Sequence, residues 1–323
     1  MRLISKIAAG ITLAVLAYVA IGGMFVAVAS PLKMRGEMVD IGGGRRMHLI
    51  CEGPKDRGAK DAGPTVLFEA GAFGFSADWG VVQERTVAHG WRACSYDRAG
   101  MGISDPGPEP RDGLAVVGDL EKLLKAAHED GPYILVGHSM AGLYLWLFAN
   151  RNPDKIKGLV FVDATTPQAS ETPQGRNFVK QFTRASRLAA FGANAGLYAP
   201  LAGTWFGDKI GLTEPASAEK RRAFASARHN HWASREVDQW LSAADQALAT
   251  GPLNPDWPVA VVMAGGNRRP LVGNSLRAQP AHQARQGSVE VVAGAGHATL
   301  LGVHYADAVV KAIGEVRQAA IAH

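Results

Sequence analysis

The sequence predicts a large α/β domain with a mostly parallel sheet, interrupted by a helical insertion and preceded by an N-terminal membrane or signal segment. Short β-branched and apolar runs alternate with helical periodicities, the pattern of a parallel sheet covered on both faces. Of the 323 residues, 47% are hydrophobic and 20% charged, so the chain can bury a large core and is not disordered. Its net charge of +5 is spread along the chain, which excludes the basic stripe of a nucleic-acid-binding protein.

The N-terminal segment is apolar enough to enter a membrane. An uncharged stretch of 23 residues runs from Ile7 to Ala29, after Arg2 and Lys6. At about 1.5 Å per residue, a helix of this length crosses a hydrocarbon layer about 30 Å thick. The alternative is a cleaved signal peptide, because Ala27-Val28-Ala29 has the small-x-small pattern of a cleavage site. Since signals typically have only about 7–15 apolar residues, we expect residues 1–30 to be an uncleaved single-pass anchor.

The sequence gives two opposing arguments about which side of the membrane the chain after residue 30 lies on. Basic residues after the apolar stretch outnumber those before it, which does not favour export. Those after it are Lys33, Arg35, Arg45 and Arg46. Folded domains translocate largely regardless of such charges, so we expect an extracytoplasmic body, and signal cleavage would instead give a secreted or periplasmic protein.

Two segments, 36–163 and 255–323, carry the strand pattern of the core. Glu37–Ile41 and Arg46–Cys51 flank three consecutive glycines, which predicts an antiparallel hairpin. Six further runs predict the other strands: Thr65–Glu69, Arg92–Tyr96, Tyr133–Val136, Leu159–Val162, Val259–Met263 and Val289–Val292. Apolar residues at three- and four-residue steps predict helices between strands, for example from Leu114 to Ala127.

Residues 164–254 interrupt this alternation. The segment is too long for a structureless loop inside a compact domain, so we interpret it as an inserted helical cap. Helical patterns cover Arg176–Ala190, Ala216–Ala227 and Ser234–Ala249. Four aromatic residues of the segment are expected to be exposed, and they either form the cap's own small core or contact substrate; these are Trp205, Phe206, Trp232 and Trp240.

Ser139 has the sequence context of a catalytic nucleophile. The run Gly137-His138-Ser139-Met140-Ala141-Gly142 follows a predicted strand and precedes a predicted helix. A serine on such a sharp turn exposes its hydroxyl, and small residues two positions before and after it let the backbones pass closely. The following helix directs its N-terminus, with its partial positive charge, at the same point.

A nucleophilic serine needs a base on another loop at the same edge of the sheet. His297 follows the last predicted strand on a Gly-rich loop, which suits this role. We expect His138 to point away from the serine and to be structural. His229 and His231 have no acidic or cysteine partner nearby in the sequence, so we expect a solvated cap face and no metal site.

An oxyanion hole needs two backbone N–H groups, one after the nucleophile and one after the third strand. Met140 is the candidate for the first. Ala72 is the candidate for the second, since Gly71 lets the chain turn there. A plain β–α turn would have the same sequence.

The order of the motifs resembles that of the α/β-hydrolase fold, and is most similar to the membrane-anchored bacterial hydrolases of the broad first α/β-hydrolase family. The resemblance extends from Gly36 to the C-terminus, except for the cap. It is carried by Glu69-Ala-Gly71, Trp79, Tyr96-Asp97-Arg98-Ala99-Gly100-x-Gly102-x-Ser104, Gly131-Pro132-Tyr133, Gly137-His138-Ser139, Val162-Asp163 and Gly296-His297. It implies an eight-stranded sheet, a Ser–His–acid triad, no cofactor or metal, and hydrolysis of an ester-like bond.

The sequence departs from the family pattern at the triad acid. The loop after Val259–Met263 lacks the carboxylate that relatives often use there. Asp163 ends the strand after the nucleophile helix, where related hydrolases sometimes place the acid, and we assign it this role. Alternatively Asp163 is structural and the acid is a cap residue such as Asp245 or Asp256. Asn267 could orient His297 without stabilising its positive charge.

The two cysteines, Cys51 and Cys94, lie in strands that are neighbours in the resembled sheet. If they are directly opposite each other, a disulfide can form in an oxidising compartment, and two buried free thiols are the alternative.

The sequence therefore predicts a membrane-tethered serine hydrolase that acts on a small-molecule ester or acyl substrate through an acyl-serine, and first of all a carboxylesterase. Haloalkane dehalogenases and epoxide hydrolases of this fold use an Asp nucleophile, so a serine favours esters, thioesters, amides or peptides. An acyltransferase or peptidase with the same triad is the alternative among enzymes. A catalytically silent binding protein at the membrane is the alternative outside them.

Overall fold

The computed structural model describes residues 2–28, 35–55, 63–266 and 274–322. The strands form one eight-stranded sheet. They are β1 (Glu37–Asp40), β2 (Arg46–Glu52), β3 (Thr65–Glu69), β4 (Ala93–Tyr96), β5 (Tyr133–His138), β6 (Ile156–Val162), β7 (Val259–Gly265) and β8 (Gly287–Ala293).

Helices lie before, between and after these strands. They are α1 (Arg2–Val28), α2 (Gly80–Ala88), α3 (Gly113–Ala126), α4 (Ala141–Arg151), α5 (Pro167–Glu171), α6 (Pro173–Asn194), α7 (Ala216–Ala225), α8 (Ala227–Asp238), α9 (Trp240–Ala249), α10 (Asn274–Gln283) and α11 (Ala306–Ile321). Helices α5 to α9 stand between β6 and β7, where the sequence predicts the helical insertion.

The sheet order is β1-β2-β4-β3-β5-β6-β7-β8. Strand β2 runs antiparallel to both β1 and β4, and from β4 onward every neighbouring pair is parallel. The hairpin and the mostly parallel eight-stranded sheet are therefore confirmed. Because β3, β5, β6 and β7 are parallel, their carboxyl ends meet at one edge of the sheet.

The central strands are buried on both faces, as the continuous apolar runs predict. Every residue of β3 and of β5 is buried. On one face the core includes apolar side chains of α3 and α4, and on the other it includes those of α2 and α11. This double cover holds the strand ends rigidly, so the loops at the carboxyl edge start from well-defined positions.

One helical prediction needs correction, and one helix was not predicted. The pattern over Ser234–Ala249 is not one helix, because Gln239 leaves helical geometry and separates α8 from α9. The break lets α8 bury Val237 and α9 bury Trp240, which is only 4% exposed and donates a hydrogen bond to Ser170 Oγ. Trp240 is thus not an exposed aromatic residue. Helix α10 was not predicted, since it contains Pro280 and has no strong apolar periodicity.

Cys51 and Cys94 are paired directly opposite each other on β2 and β4. Their Cα atoms are 4.1 Å apart, and the two sulfur atoms form a disulfide. The bond joins the antiparallel hairpin to the parallel part of the sheet.

Candidate active site

The turn between β5 and α4 holds Ser139 in a left-handed conformation, with φ of +59°. A non-glycine residue rarely adopts this conformation, and it is the strained geometry that presents a nucleophile above a sheet. The turn is anchored to the next strand, because Ser139 N donates to Val162 O at 3.2 Å and Thr165 N donates to Ser139 O at 2.9 Å. The backbone of Ser139 is therefore hydrogen-bonded to the chain on both sides of Asp163.

Asp163 and His297 form a direct pair. His297 Nδ1 lies 2.5 Å from Asp163 Oδ2, although the two residues are 134 positions apart. Asp163 has a φ of +43°, and its side chain is 7% exposed while that of His297 is 52% exposed. The imidazole therefore has one nitrogen bound to a buried carboxylate and the rest of its ring open to a substrate.

The carboxylate of Asp163 is held in its charged form. Burial alone would raise its pKa, but the hydrogen bond with His297 and the positive charge of Arg277 outweigh burial and lower the pKa to about 2. Ala264 N also donates to Asp163 Oδ1 at 3.2 Å. A charged carboxylate on Nδ1 is what stabilises an imidazolium during catalysis.

His138 contacts His297, which the sequence did not indicate. Its Nε2 lies 2.9 Å from His297 O, and the two rings are 4.4 Å apart. Burial, reinforced by the positive charge of His297, lowers the pKa of His138 to about 3. The neutral ring donates from Nε2 to this carbonyl, so it positions the His297 backbone without repelling an imidazolium.

The loop after β3 lies directly against Ser139. A Cβ atom added to Gly71 would be 2.8 Å from Ser139 Cβ and 3.0 Å from His138 O, so only glycine permits this approach. Within the described ranges, the amides of Ala72 and Met140 donate no hydrogen bond to the protein. Two unpaired N–H groups beside a serine can donate hydrogen bonds to a developing oxyanion.

Buried side chains hold the carbonyl groups of this loop. Arg98 donates to Ala70 O at 2.5 Å and to Gly71 O at 2.8 Å. From the cap, Lys220 donates to Phe73 O at 3.1 Å and His229 Nε2 lies 3.2 Å from the same oxygen. With its carbonyls bonded to these side chains, the loop backbone has a defined orientation.

We expected His229 and His231 to lie on a solvated face of the cap. This prediction is wrong for His229 and agrees with the structure for His231. His229 is 3% exposed and accepts from Gly102 N through Nδ1 at 3.1 Å, whereas His231 is exposed. Burial, with a smaller effect of the Lys220 charge, lowers the pKa of His229 to about 4. Sequence neighbours could not indicate these partners, because they are backbone groups of distant loops.

Among the described residues, neither Asp245 nor Asp256 bonds to His297. Asp245 is exposed on α9. Asp256 precedes the amino end of β7 and forms an ion pair with Arg285. Asn267 lies outside the residues that the structure describes.

The Ser139 hydroxyl forms no hydrogen bond with the part of the protein that the structure describes, so Ser139 and His297 share an edge without a direct bond. Such bonds are often long before substrate binds. The described residues bring one possible metal-ligand group together, Cys51, Cys94 and Glu129, but its sulfur atoms are joined in the disulfide and supply no thiolate.

Comparison with known proteins identifies the family. The model of the α/β-hydrolase fold family matches residues 64–302, so the chain belongs to this family, most of whose members are hydrolytic enzymes acting on small molecules. An uncharacterized protein of Schizosaccharomyces pombe is 28% identical over 233 residues, which is 70% of this chain and 41% of that protein. The chain spans between about a fifth and two fifths of the length of the first curated relatives that it matches.

Two solved structures illustrate the range of chemistry on this fold. A mutant of a putative epoxide hydrolase from Pseudomonas aeruginosa has a TM-score of 0.68 and 15% identity, covering 90% of this chain and 100% of that one. A thermophilic esterase from Thermogutta terrifontis has a TM-score of 0.59 and 19% identity, covering 88% and 100%. At these identities the likeness concerns the fold alone.

Proposed function

We propose that the protein is a serine hydrolase that cleaves ester bonds, with Ser139 as nucleophile, His297 as base and Asp163 as the triad acid. The observation that carries the proposal is the bond of 2.5 Å between Asp163 and His297 at the edge where Ser139 adopts its left-handed turn. An epoxide hydrolase or dehalogenase of this fold would need an Asp in place of Ser139.

The proposed reaction has two halves. His297 takes the proton of Ser139 Oγ as this oxygen bonds to the substrate carbonyl carbon, and the oxyanion accepts from the amides of Ala72 and Met140. The C–O bond to the alcohol breaks, the alcohol leaves with the proton from His297, and an acyl-serine remains. Water then attacks the acyl carbon and gives a proton to His297, the bond between this carbon and Ser139 Oγ breaks, and His297 returns the proton to Ser139 Oγ as the carboxylic acid leaves.

The surroundings of the oxyanion loop favour an apolar acyl group. Phe73 follows Ala72, and its ring lies edge-on to Phe182 of α6 at 6.5 Å. Phe182 in turn stacks on Phe178 at 5.8 Å, and Phe178 is 55% exposed. Aromatic rings in this position would bury an acyl chain, so we propose a carboxylesterase for acyl substrates.

We also propose that α1 tethers the enzyme to a membrane and that its body is extracytoplasmic. Among the described residues one helix, at Leu3–Gly22, is long and apolar enough to span. A signal sequence would meet the same criterion. The disulfide supports an oxidising compartment.

The decisive experiment is labelling with a fluorophosphonate, followed by hydrolysis of p-nitrophenyl esters of increasing chain length. We expect the wild type to be labelled and Ser139→Ala to fold normally without label or hydrolysis, because only one hydroxyl is removed. Thr165→Val, which removes a hydroxyl close to the turn, is the matched control and should keep the label. Labelling that persists in Ser139→Ala would contradict the proposal.

A further inference from the structure

Two pairs of large apolar side chains are exposed on the cap. Leu188 and Phe191, one turn apart near the end of α6, are 71% and 70% exposed. Trp205 and Phe206 follow in the next turns, 68% and 47% exposed, with their rings 5.3 Å apart. We call these four residues the cap apolar patch. Exposed apolar groups of this size mark a surface that another phase or molecule covers.

The chain between the two pairs contacts α1. Tyr18 Oη donates to Leu197 O at 3.2 Å. A Cβ atom on Gly22 would be 2.4 Å from Pro200 Cδ, so the helix and the cap approach closely there. Tyr18 and Gly22 both lie within the uncharged stretch Ile7–Ala29, so the cap contacts the part of α1 that would enter a membrane. When α1 spans a bilayer, the cap segment between the two pairs is therefore next to lipid.

The charges around the patch match a lipid headgroup region. Lys209 Nζ lies 5.3 Å from the ring centres of both Trp205 and Phe206, and Trp with Lys is the pairing found where protein meets headgroups. Helix α6 carries no Asp or Glu and four basic residues. Arg176 pairs with Glu171 and Arg187 with Asp238, whereas Lys180 and Arg184 form no ion pair with the residues that the structure describes. Basic side chains beside an apolar face are attracted to anionic lipid.

We propose that the cap docks on the bilayer surface beside α1, with the cap apolar patch inserted at the boundary between headgroups and acyl chains. The enzyme body is then held by two contacts with the membrane, the spanning helix and the cap. This proposal requires α1 to remain in the mature chain and does not depend on the chemistry proposed for Ser139.

Bromine quenching of Trp205 tests the docking directly. The full chain is reconstituted in vesicles of phosphatidylcholine and phosphatidylglycerol, with or without bromine near the top of the acyl chains. The emission of Trp205 is the difference between the wild type and Trp205→Phe. We expect this difference to fall about twofold in brominated vesicles, because an interfacial indole contacts the upper acyl chain. Trp91, which stacks on His89 before β4, is the control, and its contribution should not change.

Equal emission of Trp205 in the two kinds of vesicle would overturn the proposal. The wavelength of its emission maximum would then show what covers the cap apolar patch. A red emission would mean that water covers the patch. A blue emission with chemical cross-linking into dimers would mean that a second copy covers it. As a further arm, Leu188→Ser combined with Phe191→Ser should lower the quenching of Trp205, while hydrolysis of a small soluble ester, where present, stays unchanged.

Discussion

Arg277 Nη2 lies 2.8 Å from Asp163 Oδ1, the carboxylate oxygen that does not bond His297. Arg277 also donates to the backbone oxygens of Asp163 and Ala164, the latter at 3.1 Å. The guanidinium therefore holds both the charge and the strained backbone of Asp163. It is a positioning residue, because it acts on His297 through Asp163.

Replacing Arg277 should change the pH profile as well as the rate. We expect Arg277→Gln to lower kcat about tenfold to hundredfold with little change in KM, because a misplaced triad loses rate and Arg277 does not contact substrate. Losing a nearby cation makes proton binding to the Asp163–His297 pair easier, so the acidic limb of kcat/KM should move to higher pH. Rates measured from pH 5 to 9 test both points.

Arg277→Lys and Arg285→Gln are the controls for this prediction. The lysine variant keeps the charge and should restore part of the pH profile, whereas Arg285 pairs with the distant Asp256 and should be neutral. If Arg277→Gln loses rate and has a lower Tm than the wild type, while the acidic limb of its pH profile does not move, then Arg277 has a structural role only.

Asp163→Asn should separate the candidates for the triad acid. An amide cannot stabilise the imidazolium formed as Ser139 attacks, so we expect kcat to fall about 10³–10⁴-fold with little change in Tm. Asp245→Asn and Asp256→Asn are matched controls, because both carboxylates are exposed and neither bonds to His297. If Asp163→Asn stays within about tenfold of the wild type while a control variant loses activity, the acid is in the cap or at its end.

The sequence predicted the parts of this molecule that depend on local patterns. Buried strands such as β5 read as apolar runs, and the turn at Ser139 is encoded within six consecutive residues. The choice of Asp163 required one further step, because parallel strands bring their carboxyl ends together.

Contacts between distant segments could not be predicted in this way. Arg277 lies 114 positions from Asp163, on a helix whose proline and weak periodicity conceal it. The burial of His229 depends on a carbonyl at Phe73 and an amide at Gly102, and backbone partners leave no trace in residue type.

The disulfide should be present in the mature protein and should stabilise it. Alkylation of the denatured, unreduced chain should find no free thiol, since Cys51 and Cys94 are its only two cysteines. The bond closes a loop over a separation of 43 residues, so Cys51→Ala combined with Cys94→Ala should lower the free energy of unfolding by about 2–4 kcal/mol. Two free thiols in protein exported by its own host would contradict the prediction.

Two buried histidines should make the fold sensitive to mild acid. Burial lowers the pKa of His138 to about 3 and that of His229 to about 4, whereas both are near 6.5 in the unfolded chain. Below pH ~6.5 the unfolded state binds protons that the folded state does not, so stability is complete above that pH and falls as the pH drops toward 4. Each histidine contributes up to about 1.4 kcal/mol per pH unit in this window. The low pKa of Asp163, about 2, adds a loss that begins only below pH ~4.

Unfolding by urea at a series of pH values from 8 to 4 measures this slope. His229→Gln can still donate to Phe73 O and accept from Gly102 N but does not titrate, so it should make the slope between pH 6.5 and 4.5 shallower than in the wild type. His231→Gln changes an exposed residue two positions away and should leave the slope as in the wild type. A stability that is flat over this pH range in the wild type, or equal slopes in the wild type and His229→Gln, would show that His229 is protonated in the folded protein.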